Sequence, residues 1–250
     1  MSFIQVSKDG VIATVTLSRG KVNALNEPMV EDITKTFENL AIDNEVKSII
    51  FTGSGKFFSF GFDIPEFLSY PKNDFIRYLE KFTRLYTDIF LFPKPVVAAL
   101  NGHTIAGGCM LATACDLRLM VAGKAKISLN EITFGSAVLA GSVEMLRYCV
   151  GSGNAQAILY SGAMYSAEEA CQLRLVDLVS SEDALAEDTR KIAQEFAQKD
   201  SSAFRCTKHL LRKPAAEQMI KREKDAILEF VDIWYSEQTW ENLKAIKIYS

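Results

Sequence analysis

The chain has 250 residues, of which 48% are hydrophobic and 24% charged, the balance of a globular protein with a substantial core. Its formal net charge is −3, so no basic field favours nucleic acid or an anionic membrane as a partner. No apolar run is long enough to cross a membrane, and the first residues do not resemble a secretion signal. Five scattered cysteines predict reduced thiols, and we expect a cytoplasmic protein.

Strands and helices alternate in the first half of the chain. The runs FIQVS and VIATVTL predict a hairpin, because the Asp-Gly pair between them is a turn signal. Asn26 with Pro28 predicts the start of a helix, and KSIIFTG predicts a buried strand after it. Apolar residues at helical spacing predict a further helix over residues 74–92, which ends at two prolines.

The second half of the sequence is mostly helical in pattern. Two buried strands are predicted at PVVAAL and DLRLMV, and Ser166 with Glu169 has the spacing of a capping box. Further helices are predicted over 183–199, 201–212, 215–235 and 238–247. Alternating strands and helices followed by helices indicate an α/β fold with a helical C-terminal region. We divide the chain into a core of residues 1–197 and a helical region of residues 198–250.

Two glycines lie side by side where the strand PVVAAL leads into an apolar helix. Gly107 and Gly108 each cost that helix about 1 kcal/mol relative to alanine. The residues alone leave two interpretations open. One is close packing against a neighbouring backbone, and the other is a peptide N–H left open at a helix start for a ligand oxygen.

A second corner of similar construction lies in the loop FFSFGFDIPEF. Asp63 is placed to cap a helix that Pro65 helps to start, and Gly61 lets the backbone bend before Phe62. Two such corners facing each other would offer two N–H donors to one carbonyl oxygen, which is the arrangement of an oxyanion hole.

These two corners also carry a resemblance to a known family. The stretch SFGFD, followed by NG and AGGC, resembles the paired signature of the crotonase (enoyl-CoA hydratase/isomerase) superfamily. SRGKVNALN and YSGAMYSAEEACQLRLVDLV resemble further parts of that family, so the likeness covers essentially the whole chain. It implies a spiral of ββα turns whose helical C-terminal region forms trimers or a dimer of trimers. It also implies an acyl-CoA substrate and no metal or separate cofactor, since CoA enters as part of the substrate.

The resemblance implies that the N–H groups of Phe62 and Gly107 bind a thioester oxygen. Similar hydratases use two glutamates, and this sequence has Met110 at one of those positions and Glu131 at the other. Moving a double bond needs one base, whereas adding water needs more, so an isomerase similar to the mitochondrial-type Δ3,Δ2-enoyl-CoA isomerases is favoured. Burial of Glu131 among apolar neighbours would raise its pKa and make the carboxylate a stronger base.

The same resemblance implies residues that bind the rest of the substrate. They are Lys21, Val22, Phe60, Gly61, Asp63, Ile64, Gly108 and Asn130. Lys21 is equally interpreted as an ordinary surface lysine, and Asn130 would either orient Glu131 or line the pocket. The helix over 75–92 and residues 137–139 are expected to wall the acyl pocket.

Alternatives of two classes stay open. The first is another crotonase-type enzyme, such as a hydratase, a thioester hydrolase or a decarboxylase. The second is a non-catalytic or RNA-binding protein on the same scaffold, although the acidic balance argues against it. A structural role for Glu131, as a cap or in an ion pair, is the corresponding alternative at the level of the site.

Overall fold

The computed structural model describes residues 2–246. Its first element is a hairpin of strands β1 (Ile4–Asp9) and β2 (Ile12–Leu17), paired antiparallel from Ile4–Leu17 to Asp9–Ile12. Gly10 supplies the positive φ of +57° that the connecting turn requires. The predicted hairpin is therefore confirmed. Helix α1 (Glu27–Ile42) follows, and the Asn26 side chain caps it by accepting from the Met29 N–H.

The chain then makes successive ββα turns. In each turn a long strand is followed by a short strand and then by helix. The elements are β3 (Ser48–Gly53), β4 (Phe57–Ser59), α2 (Ile64–Phe67), α3 (Lys72–Phe90), β5 (Val96–Leu100), β6 (His103–Ile105), α4 (Gly107–Ala114), β7 (Leu117–Val121), β8 (Ile127–Ser128), a 3-10 helix (Glu131–Phe134) and α5 (Ala140–Ser161). Helix α5 is interrupted at Gly151, whose φ is +78°.

The strands form two sheets within the described residues. The larger has the order β1-β2-β3-β5-β7-β9, where β9 is Leu178–Ser180, and all its pairs beyond the first hairpin are parallel. The smaller is parallel with the order β4-β6-β8, so each turn contributes one strand to each sheet. This is the spiral that the family resemblance implied. The short strands of the smaller sheet were not predicted from the sequence pattern.

The remaining helices are α6 (Ala167–Gln172), α7 (Leu185–Ala197), α8 (Ser201–Trp234) and α9 (Glu237–Ala245). The capping box of α6 is present, since the Ser166 N–H donates to Glu169 at 2.7 Å and the Glu169 N–H donates to the Ser166 hydroxyl at 3.2 Å. The predicted boundary after residue 197 falls in the connection between α7 and α8, and the division into two units stays a prediction. No helix within residues 2–246 is long and apolar enough to span a bilayer.

The sequence prediction was wrong at Pro214, where two helices were expected and α8 runs through. A proline removes the hydrogen bond to the carbonyl four residues earlier. That carbonyl belongs to Leu210, a residue that is 71% exposed on the solvent-facing side of α8. Arg212 and Ala216 on either side are buried, and their packing holds the helix together.

We expect Pro214→Ala to stabilise the protein by about 1–3 kcal/mol, because it restores the helical hydrogen bond and removes the ring's clash. Urea unfolding followed by circular dichroism measures the change. Lys213→Ala, at an exposed neighbour that already has its N–H, is the control and should change the free energy of unfolding by less than about 0.5 kcal/mol. Equal midpoints for wild type and Pro214→Ala would contradict this account.

Candidate active site

A cavity of about 280 Å³ opens where the ends of β4 and β6 meet the 3-10 helix and the C-terminal half of α8. Its wall is mostly apolar. The lining residues are Phe60, Phe62, Ile64, Ile105, Ala106, Gly107, Met110, Asn130, Glu131, Thr133, Phe134, Phe230, Trp234 and Ile246. Among these described residues Glu131 carries the only ionisable side chain.

The first corner, at Gly61 and Phe62, leaves β4 and is fixed by backbone hydrogen bonds. The Leu25 N–H donates to Gly61 O at 2.7 Å, and the Asp63 N–H donates to Leu25 O at 3.0 Å. Gly61 has a φ of +95°, a conformation that favours glycine. The Phe62 N–H lies between these bonds and has no acceptor in the part of the chain that the structure describes.

Buried polar side chains hold this corner from behind. Asn23 is fully buried with a φ of +50°, and its side-chain amide donates to the carbonyls of Ser54 and Phe57 at 3.1 and 2.9 Å. The Ser59 hydroxyl donates to Asn23 O at 2.8 Å and accepts from the Gly61 N–H at 3.1 Å. The corner is thereby tied to the turn after β2.

Asp63 performs the capping role predicted for it, since its side chain accepts from the N–H of Glu66 at 3.3 Å. Its other carboxylate oxygen pairs with Arg19 at 2.7 Å. Asp63 therefore does not line the cavity. Its carboxylate is engaged in holding α2 in place.

The second corner, at Ala106 and Gly107, follows β6. Ala106 has φ +49° and ψ −118°, a sparsely populated conformation for a residue with a side chain, of a kind that costs on the order of 1–3 kcal/mol. The Ala106 N–H donates to Ser128 O at 2.8 Å, and its carbonyl accepts from the Met110 N–H at 3.0 Å, which holds the strained residue from both sides. Gly107 begins α4, and its N–H is among those that a helix leaves unpaired at its start.

The two corners are in direct contact. A Cβ placed on Gly61 would lie 2.9 Å from Ile105 O and 3.0 Å from the Gly107 nitrogen. There is therefore no room for a side chain at Gly61, between the two backbone segments. The unpaired N–H groups of Phe62 and Gly107 consequently lie at the junction of two neighbouring backbones, on the wall of the same cavity. An N–H pair of this kind can receive one oxygen that gains negative charge.

The structure gives a separate reason for each of the adjacent glycines. A Cβ on Gly108 would lie 2.6 Å from Ser59 O, so this residue is required for backbone packing. A Cβ on Gly107 would lie 3.1 Å from two ring carbons of Phe62, beside the cavity that Gly108 does not line. Close packing against a neighbouring backbone therefore explains Gly108. At Gly107 the missing side chain leaves the peptide N–H accessible from the cavity.

Glu131 begins the 3-10 helix and is only 4% exposed. Both of its carboxylate oxygens are shielded from solvent and have no hydrogen-bond partner among the described residues. Burial raises the pKa of Glu131 to about 8, because the charged form has lost its hydration. The alternative structural role is contradicted for the described residues, since this carboxylate neither caps a helix nor forms an ion pair there.

The backbone around Glu131 is fixed by its neighbours. Gly135, in the left-handed conformation, ends the 3-10 helix. The Thr239 hydroxyl of α9 donates to Gly135 O at 2.7 Å, and the Asn242 amide donates to Phe134 O at 3.1 Å. Helix α9 therefore holds the short helix that carries the carboxylate.

Several predicted binding residues lie outside the cavity wall. Phe60, Ile64 and Asn130 line it. The other predicted residues do not, namely Lys21, Val22, Gly61, Asp63 and Gly108. Val22 is adjacent to the first corner, since its carbonyl accepts from the Phe60 N–H at 2.9 Å, and Lys21 is exposed.

The predicted acyl wall is not the wall of this cavity. Neither the 75–92 helix nor residues 137–139 line the cavity, and Phe230 and Trp234 of α8 close it instead. Ring centroids of Tyr78 and Phe82 in α3 lie 5.2 and 4.9 Å from that of Phe62, so α3 supports the wall from outside. The sequence spacing of Phe230 and Trp234 indicates a buried face of α8 and does not say what that face covers.

Comparison with known proteins agrees with this fold. The solved human mitochondrial delta3-delta2-enoyl-CoA isomerase superposes with a TM-score of 0.92, over 97% of this chain and 96% of that one; at 23% identity the likeness concerns the fold. A probable enoyl-CoA hydratase of Bacillus subtilis is 34% identical over 84% of this chain and 82% of its own. The 2,3-dehydroadipyl-CoA hydratase of Escherichia coli is 32% identical over 85% of this chain and 82% of its own.

The fold is thus a crotonase fold with a cavity at the junction of two turns of its spiral. The family model for enoyl-CoA hydratase/isomerase matches residues 7–244. The chain belongs to the enoyl-CoA hydratase/isomerase family.

Alanine at the two adjacent glycines should have different consequences. Gly108→Ala meets a backbone oxygen and should lower the free energy of unfolding by about 1–3 kcal/mol, as overpacking does. In Gly107→Ala the new methyl group contacts only the Phe62 ring, beside the cavity, so we expect this variant to fold. Because the methyl group hinders the approach of an oxygen to the Gly107 N–H, we expect kcat to fall about tenfold or more, part of the worth of one oxyanion donor. Thermal unfolding and turnover of an enoyl-CoA measure both. A Gly107→Ala protein with wild-type turnover would contradict the assignment.

Proposed function

We propose that the protein is an isomerase that moves the double bond of a 3-enoyl-CoA to the 2-position, with Glu131 as its single acid–base group. One observation carries this proposal. Within residues 2–246, the cavity has a single carboxylate, which has no hydrogen-bond partner there, and its apolar wall also bears two N–H groups without an acceptor. Such a cavity has one group that exchanges protons and one place for a developing oxyanion.

The proposed reaction begins with the thioester oxygen bound by the N–H groups of Phe62 and Gly107. Glu131 takes a proton from C2, and the electron pair spreads over the C3=C4 double bond and the thioester to give a dienolate. The same carboxyl group then returns the proton to C4, which leaves the double bond between C2 and C3. Each N–H donor strengthens as charge grows on the oxygen and is worth about 10²–10³ in rate.

The protonation behaviour of Glu131 suits this shuttle. A carboxylate of ordinary pKa is a weak base, whereas one with a pKa of about 8 takes a proton more readily from carbon. Shielding from water lets the carboxyl group keep that proton until C4 receives it. No other ionisable lining residue within the described chain offers an alternative acceptor.

Hydration of a 2-enoyl-CoA is the second candidate, and the names of the relatives favour it, since both the Bacillus and the Escherichia proteins are called hydratases. Met110 argues against it here. Its buried thioether lines the cavity where similar hydratases have a second glutamate, and it cannot exchange a proton. Thioester hydrolysis and decarboxylation would use the same N–H pair, and no feature of the cavity favours either of them over isomerisation. RNA binding has no basic lining residue in its favour among the described residues.

The remaining contacts and the assembly also stay predictions. The CoA portion is proposed to lie along Lys21, Val22 and the loop at Phe60, since Val22 and Phe60 are bonded to each other at the cavity's edge. No metal or separate cofactor is proposed. A trimer or a dimer of trimers is proposed from the family resemblance.

We expect purified protein to convert trans-3-enoyl-CoA to trans-2-enoyl-CoA, and Glu131→Gln to lower kcat by about 10²–10⁴, the usual worth of a positioned acid–base group. Substrate deuterated at C2 should give product with deuterium at C4, measured by mass spectrometry. Glu223→Gln is the matched control, because Glu223 is also buried with a raised pKa but accepts hydrogen bonds from Tyr86 and Gly141 outside this cavity.

Formation of 3-hydroxyacyl-CoA from trans-2-enoyl-CoA at a rate that survives Glu131→Gln would refute the isomerase proposal. Turnover of no enoyl-CoA, together with salt-sensitive binding of RNA that Glu131→Ala leaves unchanged, would support the non-catalytic alternative.

The raised pKa of Glu131 predicts how kcat/KM depends on pH. The base must be ionised in the free enzyme, so kcat/KM should rise with pH and level off above about 8.

The contribution of Glu131 to stability should change in the opposite direction. The native state binds the Glu131 proton more tightly than the unfolded chain does, so this group's contribution to the free energy of unfolding falls as pH rises from about 4.5 to about 8. Glu131→Gln should flatten both profiles in that window, and an unchanged stability profile would contradict the burial argument.

A further inference from the structure

A cluster of buried charges lies at the opposite end of α4 from the cavity. Asp116, just beyond the helix, accepts a hydrogen bond from Lys208 at 2.7 Å and forms an ion pair with Arg212 at 3.2 Å. Lys208 and Arg212 are one turn apart on α8 and are only 6% and 5% exposed. The cluster contains two cations and one carboxylate, and buried charge of this kind requires compensation.

The compensation comes from the carbonyl ends of two helices. The Arg212 guanidinium donates to Ala114 O at 2.9 Å and to Cys115 O at 3.0 Å, the last carbonyls of α4. It also donates to Phe90 O at the end of α3, at 2.9 Å, and lies over the Phe90 ring. Arg212 thus caps both the helix that begins at Gly107 and the helix that supports the Phe62 ring.

A neighbouring arginine does not provide the same charge. Arg118 donates to Cys115 O at 3.2 Å, but its own carboxylate partner, Asp177, lies at 2.6 Å. Asp116, by contrast, is shared between Lys208 and Arg212. The uncompensated positive charge at this end of α4 therefore belongs to the Lys208–Arg212 pair.

The charge matters because α4 is short and wholly buried. Its eight residues span about 12 Å, and every one of them is shielded from water. The carbonyl end of a helix carries a partial negative charge, which repels an anion bound at the N-terminal end. A cation beside the carbonyls cancels this repulsion and so favours the anion. At this distance and burial, little solvent screens that effect.

We propose that Arg212 is a positioning residue for the oxyanion site: it holds the C-terminal ends of α3 and α4 in register and keeps the N-terminal end of α4 favourable for negative charge at Gly107. The inference rests on the proposed function, in which the Gly107 N–H binds a thioester oxygen. Arg212 acts through α4 and does not itself contact the substrate.

The test compares two CoA thioesters on the intact protein. Acetoacetyl-CoA binds as its enolate where an oxyanion site is strong, which near-ultraviolet absorbance reports, whereas butyryl-CoA remains neutral. Arg212→Met leaves Asp116 paired with Lys208, and we expect it to weaken enolate binding and kcat by up to about tenfold, the size of a Coulomb interaction across the length of α4 at an effective dielectric constant of about 20. Butyryl-CoA affinity and KM should change less than twofold, and Arg212→Lys should recover part of the loss.

Two further variants make the result decisive. Lys94→Met is the matched control, because Lys94 caps the C-terminal carbonyls of α1, which has no residue in the cavity wall, at 2.6 Å. It should leave the ratio of the two affinities unchanged. If Arg212→Met does not fold, Lys208→Met removes the same net charge while leaving the Arg212 caps in place, and it should weaken enolate binding in the same direction.

Equal loss of affinity for both thioesters, or a fall in melting temperature with an unchanged affinity ratio, would overturn the positioning role. Failure of the wild-type protein to bind acetoacetyl-CoA as an enolate or to turn over any enoyl-CoA would instead contradict the proposed function.

Discussion

The parallel pairing of β4 with β6 is the constraint from which the site follows. Phe57 pairs with His103 and Ser59 with Thr104, so both strands end at the same edge of the small sheet. The chain bends within two residues of each end, at Gly61 and at Ala106. Because both bends occur at one edge and glycine is present on both sides, two backbones meet there without side chains between them.

A buried carboxylate without a partner is unfavourable for folding, and the molecule compensates elsewhere. The energy stored at Glu131 and in the strained Ala106 is offset by the core around them, where aromatic rings of α3 pack on Phe62 and α8 closes the cavity. Buried ionisable groups with shifted pKa values and strained backbone are typical of functional sites, because there a group is held in an environment that changes its reactivity. The favourable packing that offsets these two costs extends beyond the residues that line the cavity.

Much of this arrangement could be predicted from the sequence. The Asn26 cap, the hairpin, the Asp63 cap and the glycines at the start of α4 follow from local chemistry, because each depends on residues within a few positions of one another. That Glu131 belongs with the two corners was expected from a family resemblance, since no spacing rule connects a residue in a 3-10 helix with loops so far from it in the chain.

What the sequence could not supply depends on tertiary contacts. Strands as short as β6 and β8 have too few residues for a pattern, and they exist because each completes its neighbour's hydrogen bonds. The continuity of α8 through Pro214 depends on the tertiary packing of Arg212 and Ala216, one on each side of the proline. The strong apolar stripe of α3 predicted that this helix would form the acyl wall. In the structure that stripe packs on Phe62 from outside the cavity, and residues of α8 line the cavity instead.

The link between α9 and the 3-10 helix has a consequence for biosynthesis. The ribosome makes the two corners and Glu131 well before the residues of α8 and α9 that cover and hold them. Before those helices dock, the cavity lacks the part of its wall that Phe230 and Trp234 form, and the 3-10 helix lacks its bonds to α9. The enclosure of the acidic side chain is therefore completed by the last part of the chain to be synthesised.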